Sequence, residues 1–207
     1  MLVMATIKSV KHFFYESGIQ RRLSGRRLAF LDRLSNGKIL GRGDRPRRIL
    51  EVGCANGKDF VSLVGERDDL DIYGIDLVDK GLRQNNFTMV VGDASHLDFP
   101  TGYFDMVLSF GVLEHVQPVE KLCSMISEIA RVGQSYYNVV PAVSTLVEPH
   151  TSSILWQMRS RDRKVAHRSL NYFSDDAWLQ FKGFEGASLK RFFHIPIFIS
   201  NLLIYKR

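Results

Sequence analysis

Three acidic residues, each at the end of an apolar run, are the residues best placed to bind a ligand. Glu51 leads into a turn with two glycines, Glu51-Val-Gly-Cys-Ala-Asn-Gly57, and Asp76 and Asp93 follow the next two apolar runs. A glycine turn between a strand and a helix lets a ligand approach bare backbone, and the helix start offers N–H donors. Because parallel strands end at one edge of a sheet, these segments predict a common crevice for an adenosine-type ligand.

A Glu-His pair after the fourth apolar run is a candidate for proton transfer. Glu114 and His115 lie shortly after Phe110, at the same predicted edge of the sheet. A histidine has an unperturbed pKa of about 6.5, so His115 can accept a proton from a nucleophile near neutral pH. The pair is equally well interpreted as an anchor for its own loop, and the sequence leaves both roles open.

The alternation of apolar runs and helical patterns predicts the elements that position these residues. Strands that alternate with helices are typical of a doubly wound α/β sheet. Ser174 is a good N-cap for the last helix. The predicted strands are 48–52, 71–76, 87–91, 104–109, 135–140 and two at the C-terminus, and the predicted helices are 57–66, 78–84, 118–131 and one from Asp175 to Phe181.

Two segments lie outside this alternation. Residues 1–45 contain a helical pattern, interrupted near Gly18 or Gly25, and predict an N-terminal helical cap. Residues 141–173 fit no sheet element, and connections of this length are commonly lids or binding loops. This segment follows the fifth strand and carries Trp156 beside a basic cluster. We therefore expect it to cover a substrate at the carboxyl edge of the sheet.

Length and composition predict one globular domain over residues 1–207. With 45% apolar and 24% charged residues, the chain suits a single hydrophobic core. Two cysteines are too few for a disulfide framework and predict reduced thiols in a cytoplasmic protein. The apolar runs near both termini are too short or too interrupted for a signal peptide or a membrane span. The sequence indicates no oligomeric state.

The net charge of +6 is concentrated in two segments. Residues 21–48 hold ten of the basic residues against Asp32 and Asp44, and residues 159–168 hold five more against Asp162. Such clusters favour an anionic partner, either a phosphate-bearing small molecule, a lipid headgroup or RNA. A solvated helical face is the competing interpretation for any individual arginine.

Four motifs in this order resemble the class I S-adenosylmethionine-dependent methyltransferases, in particular their small type 11 branch. They are Glu51-Val-Gly-Cys-Ala-Asn-Gly57, Asp76, Gly92-Asp-Ala94 and Phe104-Asp-Met-Val-Leu-Ser-Phe-Gly-Val-Leu-Glu-His-Val116. The resemblance covers residues 46–140 and departs from the commoner Gly-Cys-Gly turn at Ala55. It implies a Rossmann-like, doubly wound, seven-stranded mixed sheet with helices on both faces and an antiparallel last strand.

The resemblance also implies S-adenosylmethionine as the cofactor and gives roles to the crevice residues. Asp76, followed by Leu77, would bind both ribose hydroxyls, because a carboxylate accepts two O–H donors. Asp93 would accept from the exocyclic amine of adenine, and the backbone N–H of Ala94 would donate to the ring. Helix capping by Asp76 and turn formation by Asp93 are the competing roles. The other implied cofactor-binding residues are Glu51, Gly53, Cys54, Gly57 and Phe110, the last equally well a core residue.

For the chemistry, the resemblance supports His115 and Glu114 without separating catalysis from loop anchoring. In some quinone O-methyltransferases an acid three positions before this glutamate contributes to a metal site. Gly111 stands there, so we expect no metal and an activity that survives chelation.

A second resemblance concerns residues 141–151, which are similar to a stretch of type 11 enzymes found with polysaccharide and glycolipid biosynthesis. It makes Glu148 and His150 further catalytic or acceptor-binding candidates, with a loop clamp as the alternative. The predicted function is methylation, on oxygen, of a small-molecule, glycan or lipid-linked acceptor. The alternatives are an RNA methyltransferase, which the basic segments favour, and a catalytically silent protein that binds S-adenosylmethionine.

Overall fold

A seven-stranded mixed sheet forms the centre of the computed structural model. Its strands lie in the order β3-β2-β1-β4-β5-β9-β8. The strands are β1 Arg47–Val52, β2 Leu70–Asp76, β3 Phe87–Val91, β4 Met106–Phe110, β5 Tyr136–Pro141, β6 Val147–Glu148, β7 Ser153–Ile154, β8 Ser188–Ile195 and β9 Ile199–Lys206. The structure describes residues 19–37, 39, 41–42, 44–55, 57, 60–65, 67–148, 153–155, 158, 170–195 and 199–207.

Strands β1 to β5 run parallel, whereas β9 pairs with β5 in the antiparallel direction. Every residue of β4 and β5 is buried, as expected for strands covered on both faces. The predicted doubly wound mixed sheet, including its antiparallel last strand, is therefore confirmed. This strand order brings the ends of β1, β2 and β4 to one edge.

Helices cover both faces of the sheet, and each face has its own apolar layer. On one face, Leu28 and Leu31 of helix α1 (Ile19–Leu34) and Val61 of helix α2 (Val61–Val64) pack against Ile49 and Leu108. The N-terminal helix thus leans on the sheet. On the other face, helix α3 (Val119–Val132) and helix α4 (Asp175–Leu179) complete the second layer, through Leu122, Ile126, Ile129 and Trp178.

The sequence placed most elements within two residues of their observed bounds, and Ser174 caps α4 by accepting from the Ala177 N–H at 3.3 Å. The helix predicted over 78–84 is wrong. There the Asp79 carboxylate accepts from the Gly81 N–H at 2.7 Å and pairs with Arg83 at 2.8 Å, and Gly81 has a φ of +77°. The bond to the Gly81 N–H and the positive φ of Gly81 are incompatible with a helical turn, although the pair with Arg83 has helical i,i+4 spacing. Of the two positions at which an interruption was predicted, α1 runs through Gly25, and Gly18 lies outside the described residues.

The segment 141–173, predicted as a lid, is described only in part. It contains a short antiparallel pair in which Val147 and Glu148 of β6 face Ile154 and Ser153 of β7, apart from the main sheet. His150, Trp156 and the basic cluster at 159–168 lie outside the described residues, as do residues 1–18 of the predicted cap. In the described part of the chain, no helix has the length and apolar character needed to cross a membrane.

Candidate active site

An open cavity of about 460 Å³ lies at the carboxyl edge of the sheet. The ends of β1 and β2 form one side, and the start of α3 with the preceding 3-10 helix, Leu113–His115, forms the other. This position follows from the topology, because open α/β sheets bind ligands where their strands end. Its walls consist of Val52, Gly53, Ile75, Asp76, Leu77, Gly92, Asp93, Ala94, Gly111, Val112, His115, Val116, Gln117, Lys121 and Met125.

Both glycines of the predicted turn are required by their surroundings. Gly53 has a φ of +70°, and a Cβ placed there would lie 2.3 Å from a methyl of Val112. Gly57 also has a φ of +70°, and its Cβ would lie 2.5 Å from a methyl of Leu82. The turn is held by the Ile75 carbonyl, which accepts from Gly53 at 2.8 Å. Gly53 lines the cavity, whereas Gly57 lies behind it and closes the turn.

Asp76 faces the cavity and also holds the turn. Its Oδ2 atom accepts from the backbone N–H of Ala55 at 2.8 Å. Ala55 has a φ of +46°, a left-handed conformation that costs a residue with a Cβ about 1–2 kcal/mol. The bond to Asp76 offsets part of that cost. No helix follows Asp76 within residues 77–84, so the alternative that it caps a helix is wrong.

Asp93 is held by bonds to both of its carboxylate oxygens. Oδ1 accepts from the Ser95 N–H at 3.0 Å and from the Ser95 hydroxyl at 2.8 Å. Oδ2 pairs with Lys121 Nζ at 2.6 Å. The hydrogen bond from Lys121, followed by those from Ser95, outweighs partial burial and lowers the pKa of Asp93 to about 2. Asp93 thus forms a turn and also presents an ionised carboxylate to the cavity.

Leu77 and Ala94 complete the wall beside the two aspartates. Leu77 is 65% exposed although its side chain is large and apolar, and it borders the cavity. Ala94 is buried at the same wall. Both positions agree with the predicted cofactor contacts, which remain predictions.

Three of the predicted cofactor residues, Glu51, Cys54 and Phe110, are buried and are not among the residues that line the cavity. Glu51 and Phe110 are buried on the face of the sheet that packs against α1 and α2, where Phe110 belongs to the apolar layer. Cys54 is buried, with its Sγ 3.7 Å from the sulfur of Met89. Burial, followed by the nearby carboxylates of Glu51 and Asp76, raises the pKa of Cys54 to about 12. Its thiol is therefore neutral and unsuited to nucleophilic attack.

The two residues of the Glu-His pair differ in exposure. His115 is exposed and lines the cavity. Glu114 is 1% exposed, and its Oε1 atom would lie 3.4 Å from a Cβ at position 111. Only His115 is therefore placed to meet a substrate. For Glu148 the structure describes the backbone alone.

Asn171, which sequence reasoning missed, fixes the loop that carries His115. It is buried, and its Nδ2 donates to the carbonyls of Leu113 at 3.0 Å and Val116 at 2.7 Å. Its Oδ1 accepts from Gln117 Nε2 at 2.6 Å, and its backbone N–H donates to the Glu114 carbonyl at 2.6 Å. The residue belongs to the end of segment 141–173. No local pattern reveals a contact between positions so far apart in sequence.

The described arginines near β1 lie at the opposite edge of the sheet from the cavity. Arg45 pairs with Asp105 at 3.1 Å, and Arg42 lies 3.5 Å from Asp68. The Arg48 guanidinium lies 3.9 Å from Asp71 and 4.7 Å from the centre of the Tyr103 ring. All three of these acids lie outside the basic segment in sequence, and each offsets the charge of the arginine beside it. Among the described arginines, Arg42, Arg45 and Arg48 therefore do not form a face of unpaired positive charge.

The cavity walls suit the cofactor that the sequence predicts. Two carboxylates at neighbouring strand ends, Asp76 and Asp93, match a ligand with hydroxyl and amine donors, and a required glycine at 53 leaves backbone open beside them. In the part of the chain that the structure describes, no three histidine, cysteine or acidic side chains come together in a way that would hold an ion.

Comparisons with known proteins agree with this fold. A family described as "Methyltransferase domain" matches residues 50–136. Ajmaline N-methyltransferase from Rauvolfia serpentina is 32% identical over 107 residues, which cover 46% of this chain and 35% of that protein. Norajmaline N-methyltransferase from the same organism is 24% identical over 165 residues, covering 69% and 56%. The chain thus spans less than two thirds of either relative.

Among solved structures, magnesium protoporphyrin IX methyltransferase from Synechocystis PCC 6803 with bound S-adenosylhomocysteine aligns with a TM-score of 0.59. The alignment covers 97% of this chain and 98% of that protein at 17% sequence identity. At this identity the likeness shows a shared fold.

Proposed function

Residues 50–136 of this chain are a class I S-adenosylmethionine-dependent methyltransferase domain, and we propose that the chain methylates a small-molecule acceptor. The observation that carries the proposal is the cavity at the carboxyl edge, where Asp76, Asp93 and His115 face one space. The names of both curated relatives, which are small-molecule methyltransferases, support the acceptor class.

In this proposal each wall residue has one task. Asp76 accepts from the ribose hydroxyls, and Asp93 accepts from the adenine amine. The backbone at Gly53 lies along the methionine portion. When bound, S-adenosylmethionine supplies an electrophilic methyl group, which passes to the acceptor as the C–S bond breaks and its electron pair stays on sulfur. His115, the exposed base at the cavity, takes the proton of the acceptor.

We propose oxygen as the acceptor atom, because a hydroxyl nucleophile needs a base such as His115. Nitrogen is the second candidate, favoured by the N-methyltransferase names of the curated relatives. An amine that is already neutral attacks without a base, so His115→Asn separates the two. A large fall in kcat with unchanged cofactor affinity supports oxygen, and unchanged kcat supports nitrogen.

The glycan or lipid-linked acceptor remains a proposal that rests on residues 141–151. RNA is the less favoured acceptor, since the described arginines Arg42, Arg45 and Arg48 lie near acids at the far edge of the sheet. A catalytically silent protein would bind S-adenosylmethionine without methyl transfer. We propose a cytoplasmic location and a single domain over 1–207 as the sequence predicts.

The experiment that tests the proposal is transfer of radiolabelled methyl from S-adenosylmethionine into fractionated extract. The expected result is label in a small-molecule pool with the native protein and none with Gly53→Val, which would clash with Val112. Label in RNA would contradict the acceptor class. Absence of label from every pool, together with measurable cofactor binding, would favour the silent alternative.

A further inference from the structure

Lys121 occupies a position in the cavity wall that the predicted roles leave unexplained. It stands in the first turn of α3, one turn before Met125, and both residues line the cavity. A cation in the first helical turn is unfavourable, because the N-terminal end of the helix carries partial positive charge. The 2.6 Å contact between Lys121 Nζ and Asp93 Oδ2 offsets that cost.

The contacts of the Asp93 carboxylate leave one of its acceptor sites for a ligand. A carboxylate offers about four lone-pair sites. The Ser95 N–H and hydroxyl take two on Oδ1, and Lys121 takes one on Oδ2. The Asp93 side chain is 39% exposed and lines the cavity, which gives a ligand access to the remaining site. An acceptor that is ionised and fixed in this way favours a single N–H donor and repels a carbonyl oxygen.

We propose that Lys121 is a positioning residue of the adenine subsite, which holds the Asp93 carboxylate so that its free lone pair accepts from the exocyclic amine. Lys121 thereby sets the preference of the site for a 6-aminopurine over a 6-oxopurine. This inference rests on the proposed function, through the role of Asp93. The same contact lowers the pKa of Asp93, which keeps the acceptor ionised.

The test compares two ligands, S-adenosylhomocysteine and S-inosylhomocysteine, in which a carbonyl oxygen replaces the amine. Calorimetry is carried out on the native protein, on Lys121→Met and on Lys182→Met, which removes the same charge from an exposed residue outside the cavity. Loss of a charge-assisted contact predicts about ten-fold weaker binding of S-adenosylhomocysteine by Lys121→Met. Binding of S-inosylhomocysteine should change less than about two-fold, and Lys182→Met should change neither.

Four results would overturn the inference. Equal weakening of both ligands would mean that Lys121 supports the whole cavity rather than the amine contact. Unchanged binding of S-adenosylhomocysteine would remove Lys121 from the site, and tighter binding would mean that it competes with the amine for Asp93. If the native protein bound neither ligand, the proposed function itself would be contradicted and this inference would fall with it.

Discussion

Replacing Asn171 by alanine tests whether the hydrogen bonds of Asn171 stabilise the loop that carries His115. The side chain makes two bonds to buried backbone carbonyls, of Leu113 and Val116, and one bond with the exposed Gln117. Each lost bond to a buried group costs about 1–1.5 kcal/mol, and the exposed one costs less because Gln117 can bind water instead. The three bonds together predict a loss of about 2–3 kcal/mol of unfolding free energy.

Asn138 provides a matched control for this change. It is also fully buried, in β5, yet neither polar atom of its amide has a hydrogen-bond partner among the described residues. Asn138→Ala removes the same atoms and leaves a similar space but breaks no hydrogen bond, and it also relieves the burial of an unpaired amide, so Asn171→Ala should cost clearly more. Urea unfolding with unchanged m-values gives both free energies. If the two variants differed by less than about 1 kcal/mol in unfolding free energy, the hydrogen bonds of Asn171 would not stabilise the loop as proposed.

Four further predictions concern Ala55, Asp93, Lys121 and the absence of a metal. Ala55→Gly should raise the unfolding free energy by about 0.5–1 kcal/mol, since it relieves a φ of +46°, and urea unfolding measures this. Asp93 has a lowered pKa in the folded protein, so it adds to the unfolding free energy at any pH above about 3.9, the pKa of an aspartate in the unfolded chain. This contribution is lost as the pH falls toward 2. In Lys121→Met a carbon-13 titration of Asp93 should show its pKa raised toward about 3.9, and an unmoved pKa would contradict this. Methyl transfer should survive EDTA, and a loss restored by magnesium or zinc would reverse the metal prediction.

The sheet was predictable because its signals are local. Apolar runs with acids at their ends, such as β2 with Asp76, give both the strand and the edge at which it stops. The helix predicted over 78–84 failed for a local reason too, since the Asp79 carboxylate accepts from the Gly81 N–H and Gly81 has a positive φ. The conformation of Ala55 could not be predicted from the sequence. Its positive φ depends on a turn that is held by the distant carboxylate of Asp76.

The candidate site was only partly predictable. The motifs found Asp76, Asp93 and His115, which face the cavity, and also Phe110, which the structure places in the core. Asn171 was missed because its partners at 113–117 lie in a distant part of the sequence. Lys121 was missed for a different reason: a lysine at the start of a helix looks like a solvated residue until Asp93 is beside it.

Calorimetry with S-adenosylhomocysteine tests most directly whether the cavity binds the cofactor. The proteins compared are the native protein, Asp76→Ala and Asp71→Ala. Both aspartates belong to β2, but Asp71 lies near its start, beside Arg48, and Asp76 ends it at the cavity. We predict one binding site in the native protein, weakened by about 1–3 kcal/mol in Asp76→Ala, a factor of about 5–150 in Kd, and unchanged in Asp71→Ala. Undiminished affinity in Asp76→Ala, or no binding by the native protein, would contradict the assignment of this cavity to the cofactor.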